Sequence, residues 1–373
     1  MHTVKKNLVV ISPNTPPQIC GVGDYAYRLS KEFYKNKIYT EVTIATDNMN
    51  NITENSGKFD IKHWSKILPQ ILAHRETSYD ILINYTPKGF SKIGYPISFI
   101  RFLKGLTKLE SDIKIFILFH ETWNGDTSNF RIHHKVINWF SKKGCFELID
   151  LCFKVGVVTL DQKNTFEKEG VKRRVELLPV GSNIIPASEA EVFNSERNFS
   201  VWVVFGMSHT RLWALEKNKD LIQWLESSGY IQELITIGPK DDSSGKQELD
   251  FLKGILPQYK IKQLGKLEPE IISKELLIAG AAFVGQNSDE GLLKSGSFLA
   301  LAAHGVAIVY DYSQNLKNPP KEGIFKKYDI MNSSNVVDYL SKNKKQKHLY
   351  DWFIKNKSWG SISRVILNWM NKF

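Results

Sequence analysis

Short, unbroken apolar runs alternate with amphipathic stretches along almost the whole chain, and this alternation limits the fold more than any other feature. Leu8–Ile11 is the first such run. A strand that is apolar at every position, rather than at every second one, is buried on both faces, as in a parallel sheet covered by helices. A polar loop with three prolines follows, and then Asp24–Lys35, with Tyr25, Leu29 and Phe33 at helical spacing. Glu41–Ala45, Asp80–Asn84, Lys114–Phe119, Phe153–Thr159 and Val175–Pro179 read as further strands, with helical stretches between most of them. Alternation of this kind predicts an α/β fold with a doubly wound parallel sheet.

The pattern starts again after Pro186–Arg197 (PASEAEVFNSER), which lacks an apolar period and reads as a linker. Val201–Phe205, Glu233–Ile237, Tyr259–Leu264, Ala281–Val284 and Val306–Tyr310 are the strands of this second series. The 373 residues therefore divide into two Rossmann-like domains, 1–186 and 187–350. Two doubly wound domains that face each other are expected to hold a ligand in the cleft at the carboxyl ends of their strands. Residues 351–373 are helical and aromatic, and they are expected to pack back on the first domain.

The formal charge is +11, and it is uneven: residues 1–186 carry 26 basic and 18 acidic side chains. Such a surplus suits an anionic partner, whether nucleotide, acidic membrane face or nucleic acid. Cys20, Cys145 and Cys152 are too few and too scattered for a disulfide framework or a zinc cage, which points to a reducing, cytoplasmic location. The apolar run near the N-terminus is too short for a signal-peptide core, and no stretch is long enough to span a bilayer.

Two segments carry the chemistry. In the first, Gly21-Val22-Gly23-Asp24 opens a helix, so its amides face the positive helix end, where anionic oxygens bind. The segment departs from the dinucleotide fingerprint, because a long loop separates it from the strand and no third glycine follows. Asp24 is either the base of an inverting reaction or a stabilising charge at the helix N-terminus. In the second segment, Lys294-Ser295-Gly296-Ser297 precedes a helix of small and apolar residues. A diphosphate there would meet the Ser295–Ser297 amides and the Lys294 ammonium, and Glu290 could accept bonds from sugar hydroxyls. His120 ends the strand KIFILF, where a side chain can reach a ligand; the alternative is a hydrogen-bonded loop histidine. No histidine has helical or strand spacing to a second metal ligand, and Asp-x-Asp does not occur, so no metal is expected.

In this order, PPQICGVGDYAYRL, LLPVGSNI and DEGLLKSGSFLALAAHGVAIV, followed by SWGSISRVILNW near the end, resemble the family-4 glycosyltransferases of the GT-B fold, the glycogen-synthase-like superfamily. The resemblance spans essentially the whole chain. It implies an acceptor-binding domain at 1–186, a nucleotide-sugar-binding domain at 187–350, and a C-terminal helix at 351–373 that crosses back. The implied activity is metal-independent and needs no cofactor beyond the donor. A sugar passes from a nucleotide diphosphate sugar to a hydroxyl of a glycan or lipid-linked acceptor, with retention, in the synthesis of cell-surface polysaccharide or glycoconjugate. Gly21, Gly23, Arg211, Lys294, Ser295, Gly296 and Ser297 would bind the donor; His120, Glu290 and Asp24 are the catalytic candidates.

The chain also departs from the family pattern. Position 298, where a second glutamate is usual, is Phe, and Met207 stands where the family often has Arg. These departures keep a rival open: a non-catalytic partner that binds a nucleotide sugar or a glycan. A sugar-nucleotide 2-epimerase of the same fold would need more acids in its cleft.

Lys88–Lys108 and Arg131–Lys143 interleave cations with Phe, Ile, Leu and Trp. Either they lie on an anionic membrane surface from the cytoplasmic side, or they are amphipathic helices with a solvated basic face. No recognition motif accompanies the charge, so a nucleic-acid partner is not expected.

Overall fold

The computed structural model describes residues 6–16, 18, 20–47, 60–73, 77–109, 112–123, 131–286, 288–313, 316, 318–342 and 344–372. The chain forms two compact units, one of Met1–Val180 with Ile362–Phe373 and one of Gly181–Ser361.

In the first unit, β1 (Lys6–Ser12) leads to α1 (Gly21–Lys35), β2 (Val42–Thr46) and β3 (Asp60–His63). Next come α2 (Ile67–Ala73), β4 (Ser78–Tyr85), α3 (Pro87–Phe90), α4 (Ile97–Leu106) and β5 (Ile113–Phe119). Then α5 (Ile132–Leu151), β6 (Lys154–Val157), α6 (Leu160–Lys168) and β7 (Val175–Leu177) complete it. The sheet runs β3-β2-β1-β4-β5-β6-β7, and every pairing is parallel. Leu8, Val9, Val10 and Ile11 are all buried, as an unbroken apolar strand in a two-sided sheet requires. Among the described strands, only β3 escapes sequence reading: it is a short edge strand, DIKH, with no apolar run.

The second unit opens on α7 (Glu189–Asn194), inside the stretch expected to be a linker. Ser188 caps this helix by accepting from the Glu191 N–H at 3.3 Å, and Val192 is buried. One buried apolar residue in six leaves no period to read, so the cap alone signals this helix. There follow β8 (Asn198–Phe205), α8 (Ser208–Lys217), α9 (Lys219–Ser227), β9 (Glu233–Ile237), α10 (Ser243–Lys253) and β10 (Ile261–Gly265). The series continues through α11 (Pro269–Ile278), β11 (Ala279–Phe283), α12 (Asp289–Lys294), α13 (Gly296–Ala303) and β12 (Ala307–Val309). Last come α14 (Lys327–Met331), α15 (Val336–Ser341) and α16 (Lys345–Lys357). The sheet order is β10-β9-β8-β11-β12, again all parallel.

The C-terminal stretch is two helices rather than one. The helix α16 stays in the second unit, and α17 (Trp359–Asn371) enters the first from Ile362 onward. There Trp369 packs edge-on against Phe116 of β5, with ring centres 5.6 Å apart. Lys154 of β6 donates to the Trp369 carbonyl at 2.6 Å and to the Lys372 carbonyl, capping the helix end where cations are favoured.

In both sheets the chain order reverses beside the first strand, between β1 and β4 in one and between β8 and β11 in the other. Ligands of doubly wound sheets bind outside the strand ends at such switch points.

Candidate functional site

At the first switch point the loop after β1 feeds α1. Cys20 caps the helix, its Sγ accepting from the Gly23 N–H at 3.4 Å. Gly21 is exposed, and a Cβ there would meet nothing within 4 Å, so its backbone is open to a ligand. Gly23 acts differently, since a Cβ on it would run into the Asn14 carbonyl. Its missing side chain lets the 13–15 loop close on its own helix, a packing role for a glycine expected to face a diphosphate. Asp24, in the same turn, is half-buried; burial raises its carboxyl pKa, and the Arg28 charge pulls the other way.

His120 follows β5 and meets this helix. Its ring packs edge-on to Tyr25 at 4.8 Å, and its Nε2 is 3.1 Å from Asn84 Oδ1 at the end of β4. The Tyr85 carbonyl accepts from the His120 N–H at 2.9 Å, and the His120 carbonyl accepts from Gln162 at 3.1 Å. Burial pushes the imidazole down to about 3, so it is neutral at pH 7. Tyr25 is fixed in turn by donating to the Pro179 carbonyl at 3.2 Å. The result is a rigid, neutral imidazole at the carboxyl end of the sheet, suited to hydrogen bonding rather than to holding a charge.

At the second switch point two backbone segments approach as only glycine permits. Gly206 after β8 has φ +139° and Gly238 after β9 has φ +134°. A Cβ on Gly238 would run into the Gly206 carbonyl oxygen. A Cβ on Gly206 would lie 2.5 Å from Ser297 Oγ, which brings the α13 N-terminus against the same loop. Arg211 binds the two segments together. Its Nε donates to Glu248 Oε1 at 3.0 Å and its Nη2 to Glu248 Oε2 at 2.6 Å. Nη2 also reaches the Pro239 carbonyl at 2.8 Å, and Nη1 the Gly206 and Ile237 carbonyls. All five guanidinium N–H donors are thus engaged, and the side chain is 1% exposed. Arg211, expected to grip a diphosphate, instead spends its donors on Glu248 and on the carbonyls of the Gly206 and Pro239 loops.

Lys294, Ser295, Gly296 and Ser297 do sit together as expected. Lys294 ends α12 and is exposed; Ser295 is buried and caps α13, accepting from the Phe298 N–H at 3.3 Å and from Gln286 Nε2 at 3.1 Å. Gly296 is open, with nothing within 4 Å of where its Cβ would be. Amides at a helix N-terminus, one free-facing glycine and an exposed ammonium are groups of the kind that can bond a phosphate oxygen. Glu290 lies half-buried in the first turn of α12, one helix earlier. Phe298, the position of the absent second glutamate, is wholly buried in the core. Beside these residues, at the ends of β11 and β12, is a polar cleft of about 440 Å³ lined by Gln286, Ser288, Asp289, Tyr310, Tyr312 and Ser313.

Several residues around this site escape sequence reading. Glu248 lies 37 positions beyond its partner. Ser208 donates to Asp242 Oδ2 at 2.5 Å, and Asp242 caps α10. Lys357 of α16 donates to the Leu293 carbonyl at 3.2 Å, directly below the Lys294–Ser295 junction, and burial lowers its ammonium to about 8. Gly206 and Gly238 do leave a readable signal, because each immediately follows a strand that ends in an apolar residue.

No family model and no curated protein matches the sequence. Solved structures do match, over nearly full length. An alpha-glucosyltransferase in complex with UDP and DNA containing an HMU base superposes with a TM-score of 0.64 at 11% identity, covering 98% of this chain and 99% of that one. HepE of Anabaena, in complex with UDP and glucose, gives 0.62 at 9% identity, with 99% and 100% covered. The lipopolysaccharide outer core galactosyltransferase WaaB gives 0.53 at 12% identity, with 98% and 99% covered. The fold is GT-B. Identities this low carry the architecture alone, and the named acceptors, a modified-base DNA and a lipopolysaccharide core, belong to those proteins.

The two basic segments of the first unit also come together. The helices α4 and α5 pack on each other, and Tyr95 donates to Glu147 Oε1 at 2.5 Å between them. Ile93, Ile97, Ile132, Val136 and Trp139 are all exposed, Ile132 at 82% and Trp139 at 57%. The Lys143 ammonium lies 5.6 Å from the centre of the Trp139 ring. Among the described residues no helix is long and apolar enough to cross a membrane.

Proposed function

We propose that the chain is a glycosyltransferase that moves a hexosyl group from a UDP-sugar to a hydroxyl of a glycan or lipid-linked acceptor, with retention of configuration. The observation that carries the reading is the open α13 N-terminus, with Gly296 bare, Ser295 capping and Lys294 exposed beside it. Two of the structures similar to this chain hold UDP, which supports uracil as the base.

The difficult part of the reaction is charge. As the glycosidic bond breaks, its electron pair goes to the departing diphosphate, and the sugar takes on oxocarbenium character. Preorganised donors stabilise that developing anion with little reorganisation, and no metal or further cofactor is invoked. The backbone amides of Gly296 and Ser297 and the Lys294 ammonium take the diphosphate. Glu290 holds donor hydroxyls, and neutral His120 hydrogen-bonds the transferred sugar or the incoming hydroxyl. Gly21 supplies an open backbone at the acceptor side, and Asp24 is the base only if the reaction inverts.

The exposed Ile, Val and Trp side chains of α4 and α5 and the segment before α4, with Lys92, Arg101, Lys104, Lys135 and Lys143 exposed on the same segments, fit an anionic lipid surface met from the cytoplasm. That favours a lipid-linked acceptor over DNA. The experiment supplies UDP-glucose and UDP-galactose with pools of lipid-linked glycans, free glycans or DNA, and measures UDP release and the product's anomeric configuration. Acceptor-dependent UDP release with an α-linked product supports the reading. UDP binding without turnover on any pool would make the chain a binding partner. Sedimentation no better with anionic than with neutral vesicles would remove the membrane from it.

A further inference from the structure

A second cationic cavity lies in the Gly181–Ser361 unit, apart from the residues assigned to the donor. It is an open hollow of about 640 Å³ between the segment after β12 and the start of α16. Among the described residues, Lys321, Lys326, Lys344, Lys345 and His348 line it, with Glu322 as the one lining carboxylate and Tyr312 as an aromatic wall.

Neighbouring lysines outside the cavity are matched by carboxylates. Lys327 is 3.2 Å from Asp220 and 3.4 Å from Asp311, and Lys342 is 2.9 Å from Asp338. Among the described residues, Lys321, Lys326 and Lys344 have no carboxylate within 4.0 Å. Two of the cavity's ammonium groups are nevertheless held in place. Lys326 Nζ lies 4.5 Å from the centre of the Tyr312 ring. Lys345 donates to the Ile324 carbonyl at 3.0 Å and sits 4.9 Å above the Phe325 ring.

The helix beside them adds to the same field. Lys344 is the N-cap of α16, Lys345 is its first residue, and its first turn holds no acid. A helix N-terminus is already positive, so cations gathered there repel it and one another. Two of the four lysines stand at that end, and although Asp329 as well as Glu322 acts on Lys345, the concave wall keeps a net positive field that favours an anion. The cavity is far larger than a bare phosphate needs and falls within the size range of small-molecule sites, about 300–1,000 Å³.

We propose that this cavity binds a phosphate-bearing ligand of saccharide-phosphate size, at a site distinct from that of the donor diphosphate. Lys326 and Lys344 contact the phosphate, Lys321 and Lys345 add to the field, and Tyr312 flanks the sugar. Such a site stands whether or not the chain is a glycosyltransferase. Tyr312 also lines the cleft beside α12, and Ser313, the next residue, donates from its N–H to Asp289 Oδ2 at 3.1 Å. An occupant would therefore touch the loop that braces the helix carrying Glu290.

The experiment titrates the full chain calorimetrically with glucose 6-phosphate, inorganic phosphate, glucose and UDP, in wild type and in the Lys326→Ala, Lys344→Ala double variant. Glucose 6-phosphate should bind while glucose does not, and saturating UDP should not displace it. The double variant should lose about tenfold or more in that affinity, as expected for a lost charge-assisted bond, with its UDP affinity unchanged. Tighter binding of glucose 6-phosphate than of inorganic phosphate supports a saccharide phosphate. Equal affinities, both dependent on the two lysines, reduce the ligand to free phosphate and overturn the saccharide part. No binding of either phosphate compound at millimolar concentration, binding indifferent to the lysines, or displacement by UDP overturns the site itself. Lys321→Glu, on an exposed residue, is a second variant that should weaken binding without affecting folding.

Discussion

Arg211→Met separates a positioning role from a ligand role at the second switch point. In the native chain Arg211 and Glu248 are 1% and 0% exposed, and every guanidinium N–H is used within the protein. Removing the arginine strands the Glu248 carboxylate in the interior and takes a donor from the Gly206, Ile237 and Pro239 carbonyls. Breaking a buried ion pair from one side costs about 3–5 kcal/mol. For a unit of this size, about 2–4 °C per kcal/mol makes that a fall in Tm of about 6–20 °C. Calorimetric melting of the full chain checks the figure, and the transition that moves should be that of the Gly181–Ser361 unit. Glu248→Leu added to Arg211→Met should recover much of the loss, because two apolar side chains replace a buried charge pair. UDP affinity of the single variant, measured well below its Tm, should fall less than stability does. A variant that melts like wild type but no longer binds UDP would refute the reasoning and return Arg211 to the diphosphate.

Other substitutions probe the same geometry. Gly238→Ala forces a side chain at φ +134° into the Gly206 backbone and should cost about 1–3 kcal/mol in urea unfolding. Lys357, 7% exposed, carries a folded pKa of about 8 against an ordinary 10.5, so above pH 8 the unfolded chain holds the extra proton. The stability of wild type relative to Lys357→Met should therefore rise with pH between about 8 and 10.5, by up to about 1.4 kcal/mol per pH unit. A flat difference over that range would mean the ammonium is not desolvated. His120, with its pKa near 3, should contribute no limb to an activity profile between pH 5 and 8. A limb near 6 that vanishes in His120→Asn would contradict that.

Much of the fold is legible because strands buried on both faces must be apolar throughout, and such runs stand out in the sequence. Most of the strands follow from that rule, whereas β3, with its DIKH edge sequence, has no such run. Helix α7 is hidden because one buried valine in a polar stretch makes no period. The Ser295 cap of α13 is readable since capping acts over a few adjacent residues. Arg211 misleads because its partner, Glu248, is brought to it by tertiary packing across two helices, α8 and α10. A sequence shows that a cation follows the strand; it does not show whether the donors point to a ligand or to the chain's own carbonyls.

On the proposed function, the α12–α13 junction takes the diphosphate of a UDP-sugar. Calorimetric titration of UDP into wild type and Lys294→Ala tests it most directly, since Lys294 is exposed and its removal should leave the fold intact. Binding to wild type, weakened in the variant by about 1.5–3 kcal/mol at unchanged Tm, is the predicted result. Equal affinities in the two proteins, or no UDP binding to wild type at all, would contradict it.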